Sequence, residues 1–262
     1  MKRLKELRLF LFDMDGTIYL DNELFDGVTD LLKHIKSIGG KYMFLTNNSS
    51  KSIDKYIEKL ANLGIQSNAD DFLSSTDATI IYLKKKNYHK IYALGTASFK
   101  EQLKKADLPI TQEIEDGIDC LCMGFDTELT FQKLEDACLL LKRDVDFIAT
   151  NPEWVCPTSY GFVPDCGSVS EMLYIATKKR PIFIGKPRPD MALLAMEKNG
   201  FKPEETVLIG DRLYTDIACA YNAGINSVFV LSGEGTMDDV EKSNIKPDYI
   251  YNSVKELYND IQ

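Results

Sequence analysis

Leu7-Arg8-Leu9-Phe10-Leu11-Phe12-Asp13-Met14-Asp15-Gly16-Thr17 is the stretch on which the fold turns. Its short apolar run, bounded by an Asp-Gly pair suited to a turn, predicts a buried strand ending at Asp13. Downstream, residues 27–38 predict a helix closed by Gly39-Gly40, Tyr42-Met43-Phe44-Leu45 a second strand, and residues 51–63 a second helix with Gly64 behind it. Further strands are expected at 90–95, 119–124, 146–149, 206–210 and 227–231, with helices at 99–106, 131–142 and 254–261. This alternation predicts an α/β fold, a doubly wound parallel sheet covered by helices. It contains more strand–helix units than one such sheet usually holds, and the length allows either one large domain or a core with a second, smaller one inserted or appended; composition alone places no boundary between them.

The 262 residues, 44% hydrophobic and 27% charged, have the composition of a folded globular protein with a substantial core. A net charge of −9 argues against a broad surface for nucleic acid or anionic membrane, either of which needs clustered positive charge. The Lys84-Lys85-Lys86 run is too short to reverse this and predicts a solvated helix end. Residues 1–8 are charged, and no apolar run approaches the roughly 20 residues of a membrane span. A cytoplasmic protein is therefore expected, with its six cysteines as reduced thiols and Cys120 and Cys122 in the core.

Asp13 and Asp15 stand at the carboxyl end of the first predicted strand, where open α/β sheets bind their ligands. Two carboxylates this close suit a hard cation such as Mg2+, although an Asp-x-Asp pair occurs in many loops. A calcium loop is excluded, because its required sixth-position glycine is here Ile18. Gly210-Asp211-Arg212-Leu213-Tyr214-Thr215-Asp216 follows the apolar run Val207-Leu208-Ile209, so Asp211 can join the first aspartates around a metal. Asp216 fits a helix-capping carboxylate as well. Thr46-Asn47-Asn48-Ser49-Ser50, at the end of the second strand, offers either phosphate-oxygen donors at a helix start or a plain polar cap. Gly185-Lys186-Pro187 adds one lysine after an apolar run, and a lone lysine is ordinarily a solvated charge. It is not the end of a Walker loop, which would need glycine at Arg180.

In this order the four pieces resemble the haloacid dehalogenase (HAD) superfamily of phosphatases, in the form of its NagD-like, 4-nitrophenylphosphatase-type branch. The resemblance spans nearly the whole chain and includes Ala149-Thr150-Asn151-Pro152, Pro157-Thr158 and Gly161 to Ser168. It implies hydrolysis of small phosphomonoesters through an aspartyl-phosphate on Asp13, with Asp15 as general acid and then base. Mg2+ would be held by the Asp13 carboxylate, the Asp15 backbone carbonyl and Asp211. Asp216 would orient a metal-bound water or Lys186. Lys186 would serve as a cation beside Asp13 and the phosphate, with Thr46, Asn47 and Asn48 on the phosphate oxygens.

The same resemblance implies a Rossmann-like core of residues 1–77 and 182–262 and an inserted α/β cap of residues 78–181. Asn151, Trp154, Pro164 and Asp165 of the cap are candidates to face the substrate, Trp154 being equally suited to the cap core. Asp165 and Cys166 depart from the small residue and the alanine common in the family, which weakens any inference about the leaving group. Nucleotide, sugar phosphate, pyridoxal phosphate and glycerol phosphate all remain open, and cap surfaces of the family can pair into a homo-oligomer. The alternatives are a phosphotransferase or mutase of the same superfamily and a non-catalytic phospho-acceptor module, which would be about half this size. A cysteine phosphatase is disfavoured because no Cys precedes an Arg by five intervening residues, and a histidine phosphatase because only His34 and His89 exist.

Overall fold

The computed structural model describes residues 4–158 and 160–262. The chain forms two compact units: one from the segment ending at Thr46, Tyr56–Leu73 and Lys186–Gln262, the other from Asn47–Lys55 and Ser74–Gly185.

The first unit is built on a six-stranded sheet in the order Tyr249–Tyr251, Asn226–Val230, Thr206–Gly210, Leu9–Phe12, Lys41–Thr46, Phe72–Ser74. Strands Leu9–Phe12 and Lys41–Thr46 are parallel, and so are the pairings that lead from Leu9–Phe12 out to Tyr249–Tyr251. Numbered along the chain from the opposite edge, the order is 3-2-1-4-5-6. Its direction reverses between Leu9–Phe12 and Thr206–Gly210, and ligands of open α/β sheets bind beyond the carboxyl ends of strands at such a reversal. All four residues of Leu9–Phe12 are fully buried, as a central parallel strand with both faces covered requires. Helix Val28–Ser37 buries Val28, Leu31, Leu32 and Ile35, one stripe at helical spacing. Full burial of each such aliphatic side chain is worth about 1.5–3 kcal/mol.

The second unit has its own five-stranded parallel sheet, ordered Ile182–Phe183, Asp146–Ala149, Cys120–Met123, Ile91–Leu94, Ile110–Thr111. Helices Ser75–Lys86, Ala97–Lys105, Phe131–Leu141 and Cys166–Thr177 accompany it, with an antiparallel pair Val155–Thr158 and Gly161–Pro164. Its core is Tyr92, Leu94, Leu121, Met123, Leu140 and Leu173 with their neighbours. Cys120 and Cys122 are fully buried on the central strand, and Lys84, Lys85 and Lys86 are an exposed last helical turn, both as expected.

The start and body of helix Ser75–Lys86, unlike its lysine end, were not legible, and the reason is physical. Its buried residues Ser75, Thr76, Ala78, Thr79 and Leu83 are mostly small or polar, so the hydrophobic period is faint. A capping box carries its start instead: Ser74 Oγ accepts from the Asp77 N–H while the Asp77 carboxylate accepts from the Ser74 N–H. Among the described residues no helix is long and apolar enough to cross a membrane.

Candidate active site

Beyond Phe12 the chain stays in register for one more residue, the Asp13 N–H donating to the Ile209 carbonyl at 2.8 Å. The Met14 carbonyl then accepts from Thr17 and Ile18, a tight turn through Gly16 at φ +86° that bends the chain away after Asp15. Phe12 pairs with Phe44 on one side and Ile209 on the other. Asp13, the buried Thr46 and Asp211 therefore all fall at the carboxyl ends of three neighbouring strands.

Lys186 is buried on the same unit. Its Nζ donates to Asp13 Oδ1 at 2.5 Å, to Asp216 Oδ1 at 2.7 Å and to the Leu45 carbonyl at 3.1 Å, which uses all three ammonium protons. Expectation for a lone lysine would be a solvated charge; here the side chain is 1% exposed. Burying it is tolerable because two carboxylates neutralise it.

One oxygen each of Asp13, Asp211 and Asp216 lie within 4.8 Å of one another, a grouping able to hold a metal. The hydrogen bonds separate their roles. Asp216 is committed at both oxygens, Oδ1 to Lys186 and Oδ2 to the Arg212 N–H at 3.1 Å. Asp211 accepts at Oδ2 from the Glu234 N–H at 2.7 Å, while its buried Oδ1 has no hydrogen-bond partner. An orphaned carboxylate oxygen beside two further acids is the donor set a divalent cation suits.

The electrostatics agree with that fit. Burial, then the charges of Asp13 and Asp216, push the Asp211 carboxyl well above the usual carboxylate range. Burial likewise pushes Asp216 up to about 7, with Lys186 opposing and Asp13 adding to the rise. A divalent cation would relieve this crowding of negative charge. Close backbone approach makes room for the Asp216 carboxylate: a Cβ on Gly210 would collide with Asp216 Cγ. The π-helical turn Leu213–Ile217, in which both Asp216 and Ile217 N–H groups donate to the Arg212 carbonyl, points Asp216 back at that glycine.

Two elements around these acids carried no recognisable motif. Lys59, in helix Ile53–Asn62, sets its Nζ 3.8 Å from Asp15 Oδ1 and 3.4 Å from the centroid of the Tyr19 ring. In sequence it is one of two lysines on a charged helix, and nothing marks it. The loop after strand Asn226–Val230 is the second: Ser232 Oγ donates to the Gly16 carbonyl at 2.7 Å, and the Gly235 N–H to the Asp211 carbonyl at 3.0 Å. Its Gly233-Glu234-Gly235 run after a strand was the available signal.

The remaining expected site residues belong to the second unit. Asn47 Nδ2 donates to Glu153 at 3.2 Å, and the Asn47 carbonyl accepts from Ser75 Oγ and Asn151 Nδ2. Asn48 Oδ1 accepts from both the N–H and the hydroxyl of Ser50, a local turn. Asn151 is fully buried, and its Oδ1 accepts from the Glu153 N–H at 2.9 Å. Asp165 caps helix Cys166–Thr177 by accepting from the Cys166 N–H. Pro164 is exposed at the end of its strand, and Trp154 is 51% exposed, so it is no part of the core.

Residues 10–109 match the haloacid dehalogenase-like hydrolase family, and residues 183–257 match a second, HAD-hydrolase-like family. The 4-nitrophenylphosphatase of Thermotoga maritima superposes with a TM-score of 0.92 at 36% identity, over 99% of either chain. The chain belongs to the haloacid dehalogenase-like hydrolase family. Within it, this hydrolase is a phosphatase of the NagD-like, 4-nitrophenylphosphatase-type branch. An acid sugar phosphatase of Staphylococcus aureus is 29% identical to the hydrolase over 260 residues, 99% of this chain and 100% of the relative. A glycerol phosphate phosphatase of Mycobacterium tuberculosis, in complex with magnesium, is 26% identical with a TM-score of 0.90, over 98% of this chain and 78% of the other.

Proposed function

We propose that this hydrolase is a magnesium-dependent phosphatase of small phosphomonoesters that works through an aspartyl-phosphate on Asp13. The observation that carries this reading is the buried Lys186 bridge: it grips one oxygen of Asp13 and leaves the other to attack phosphorus. A carboxylate needs no base to act as nucleophile.

Asp15, two residues further along, is the general acid that protonates the departing alcohol oxygen and then the base that takes a proton from the attacking water. Lys186 holds Asp13 in line and offsets charge on the phosphoryl oxygens. Thr46 and the peptide that follows it bind phosphate oxygens, while Asp216 keeps Lys186 in place. Magnesium, held by Asp13, the Asp15 carbonyl and Asp211, would supply Lewis-acid neutralisation of the transferring phosphoryl group.

The second unit is the cap domain of this reading and would carry the residues that read the leaving group. The relatives named acid sugar phosphatase and glycerol phosphate phosphatase favour a phosphorylated sugar or polyol as substrate. The six free cysteines, four of them buried, support a reducing compartment such as the cytoplasm. A panel of sugar, polyol, nucleotide and pyridoxal phosphates, assayed for phosphate release with magnesium and with a chelator, tests the proposal. Failure to hydrolyse any ester in magnesium would sink it.

A further inference from the structure

Asp211 is held from two sides by backbone that comes too close for any side chain. A Cβ on Gly16 would lie 2.5 Å from Asp211 Oδ2, and one on Gly233 would lie closer still to the same oxygen and 2.4 Å from Cγ. Gly16 belongs to the aspartate motif itself. Gly233 sits on a separate loop, and its φ lies outside the left-handed region, so conformational freedom is not what calls for glycine there. The space occupied by the Asp211 carboxylate is what calls for it.

The residue after Gly233 completes the grip. The Glu234 N–H donates to Asp211 Oδ2, and the Glu234 carboxylate stands 2.8 Å from Arg212 Nε, tying the loop to the residue next to Asp211. One oxygen of Asp211 is thereby fixed by the loop while Oδ1, buried, is left without a partner. We infer that the Ser232–Gly235 loop is a positioning element that presets the Asp211 carboxylate for a divalent cation, with Gly233 supplying the space and Glu234 the tether. The inference rests on the metal-dependent reading of the site and deepens it. Partners of this kind, which orient a ligand without touching the metal, typically govern affinity by 10–100-fold.

The test is magnesium binding to the purified full chain, by titration calorimetry and by the magnesium-induced rise in melting temperature, independent of turnover. Gly233→Ala should bind magnesium at least roughly tenfold more weakly than wild type while the metal-free protein melts cooperatively. Combined with Asp211→Asn, it should add no further loss, because both changes act through the same carboxylate. Glu234→Gln keeps the backbone donor and loses the charge facing Arg212. It should weaken binding to a smaller degree, and it carries the test if Gly233→Ala does not fold. Equal magnesium affinity in wild type and the folded loop variants overturns the inference alone. A wild-type protein that binds no magnesium overturns the metal reading and the inference with it.

Discussion

Lys186 Nζ lies 2.5 Å from Asp13 Oδ1 across 173 positions of sequence, in a pocket where the lysine side chain is 1% exposed. Removing Lys186 takes the cation from Asp13, whereas removing Asp13 leaves Lys186 held by Asp216 and the Leu45 carbonyl.

Asp13→Asn is expected to abolish turnover, by roughly 10^4-fold or more, because an amide cannot form the covalent intermediate. The check is phosphate release from 4-nitrophenyl phosphate beside a circular dichroism spectrum of unchanged shape. A folded variant with near-normal rates would exclude Asp13 as the nucleophile.

Lys186→Met should cost both activity and stability. It strands the buried Asp216 and the partly buried Asp13 carboxylates, and breaking a buried pair in this way costs about 3–5 kcal/mol. Urea denaturation measures the loss. Lys186→Arg should not restore it, since the planar guanidinium cannot reproduce the three donations to Asp13, Asp216 and the Leu45 carbonyl.

Asp15→Asn removes the proposed proton donor and acceptor while sparing Asp13. Slow turnover with an acid-stable, protein-bound phosphate after rapid quench of labelled substrate is expected. Absence of any trapped acyl-phosphate would count against the acid/base role.

The metal-free protein should respond to pH in a defined direction. Burial raises Asp216 to about 7 and also lifts Asp211. A carboxyl whose folded value exceeds its unfolded value of about 3.9 contributes stability fully below the latter and loses it as pH rises. The melting temperature contributed by this site should therefore fall between about pH 4 and 7 in chelator. Magnesium near neutrality should reverse the loss and release protons, detectable as buffer-dependent heats in calorimetry. Proton-free binding would contradict the assignment.

In the second unit, Asn151 and Trp154 should behave oppositely. Asn151 is fully buried with its carbonyl and amide both engaged, so Asn151→Ala should destabilise by about 1–3 kcal/mol. Trp154 is half exposed, and Trp154→Ala should leave the melting temperature nearly unchanged while altering KM between esters of different alcohols. Equal KM values across the panel would remove Trp154 from substrate recognition.

The elements that could be foreseen are those whose burial leaves a one-dimensional trace. Leu9–Phe12, Thr206–Gly210 and Cys120–Met123 are continuous apolar runs because both faces of a parallel strand are covered. The two-residue edge strand Ile182–Phe183 was not legible, since too few residues establish a period. Asp13, Asp15 and Asp211 stand out in the sequence because each follows a strand end, which is a local property. Lys59 and the Ser232–Gly235 loop could not, because their importance lies in what they approach.

The amino-acid sequence by itself determined the α/β alternation, the strand ends that carry the acids and the family to which the motifs point, all of them consequences of short-range patterning. Only the tertiary structure decided which oxygens of those acids are engaged. The second Asp216 oxygen closes locally on the Arg212 N–H and Asp211 Oδ1 is left open, while Lys186 is buried against Asp13 across 173 positions and against Asp216 across 30. Such contacts depend on packing between distant segments, and packing leaves no mark on the residues immediately beside them in the chain.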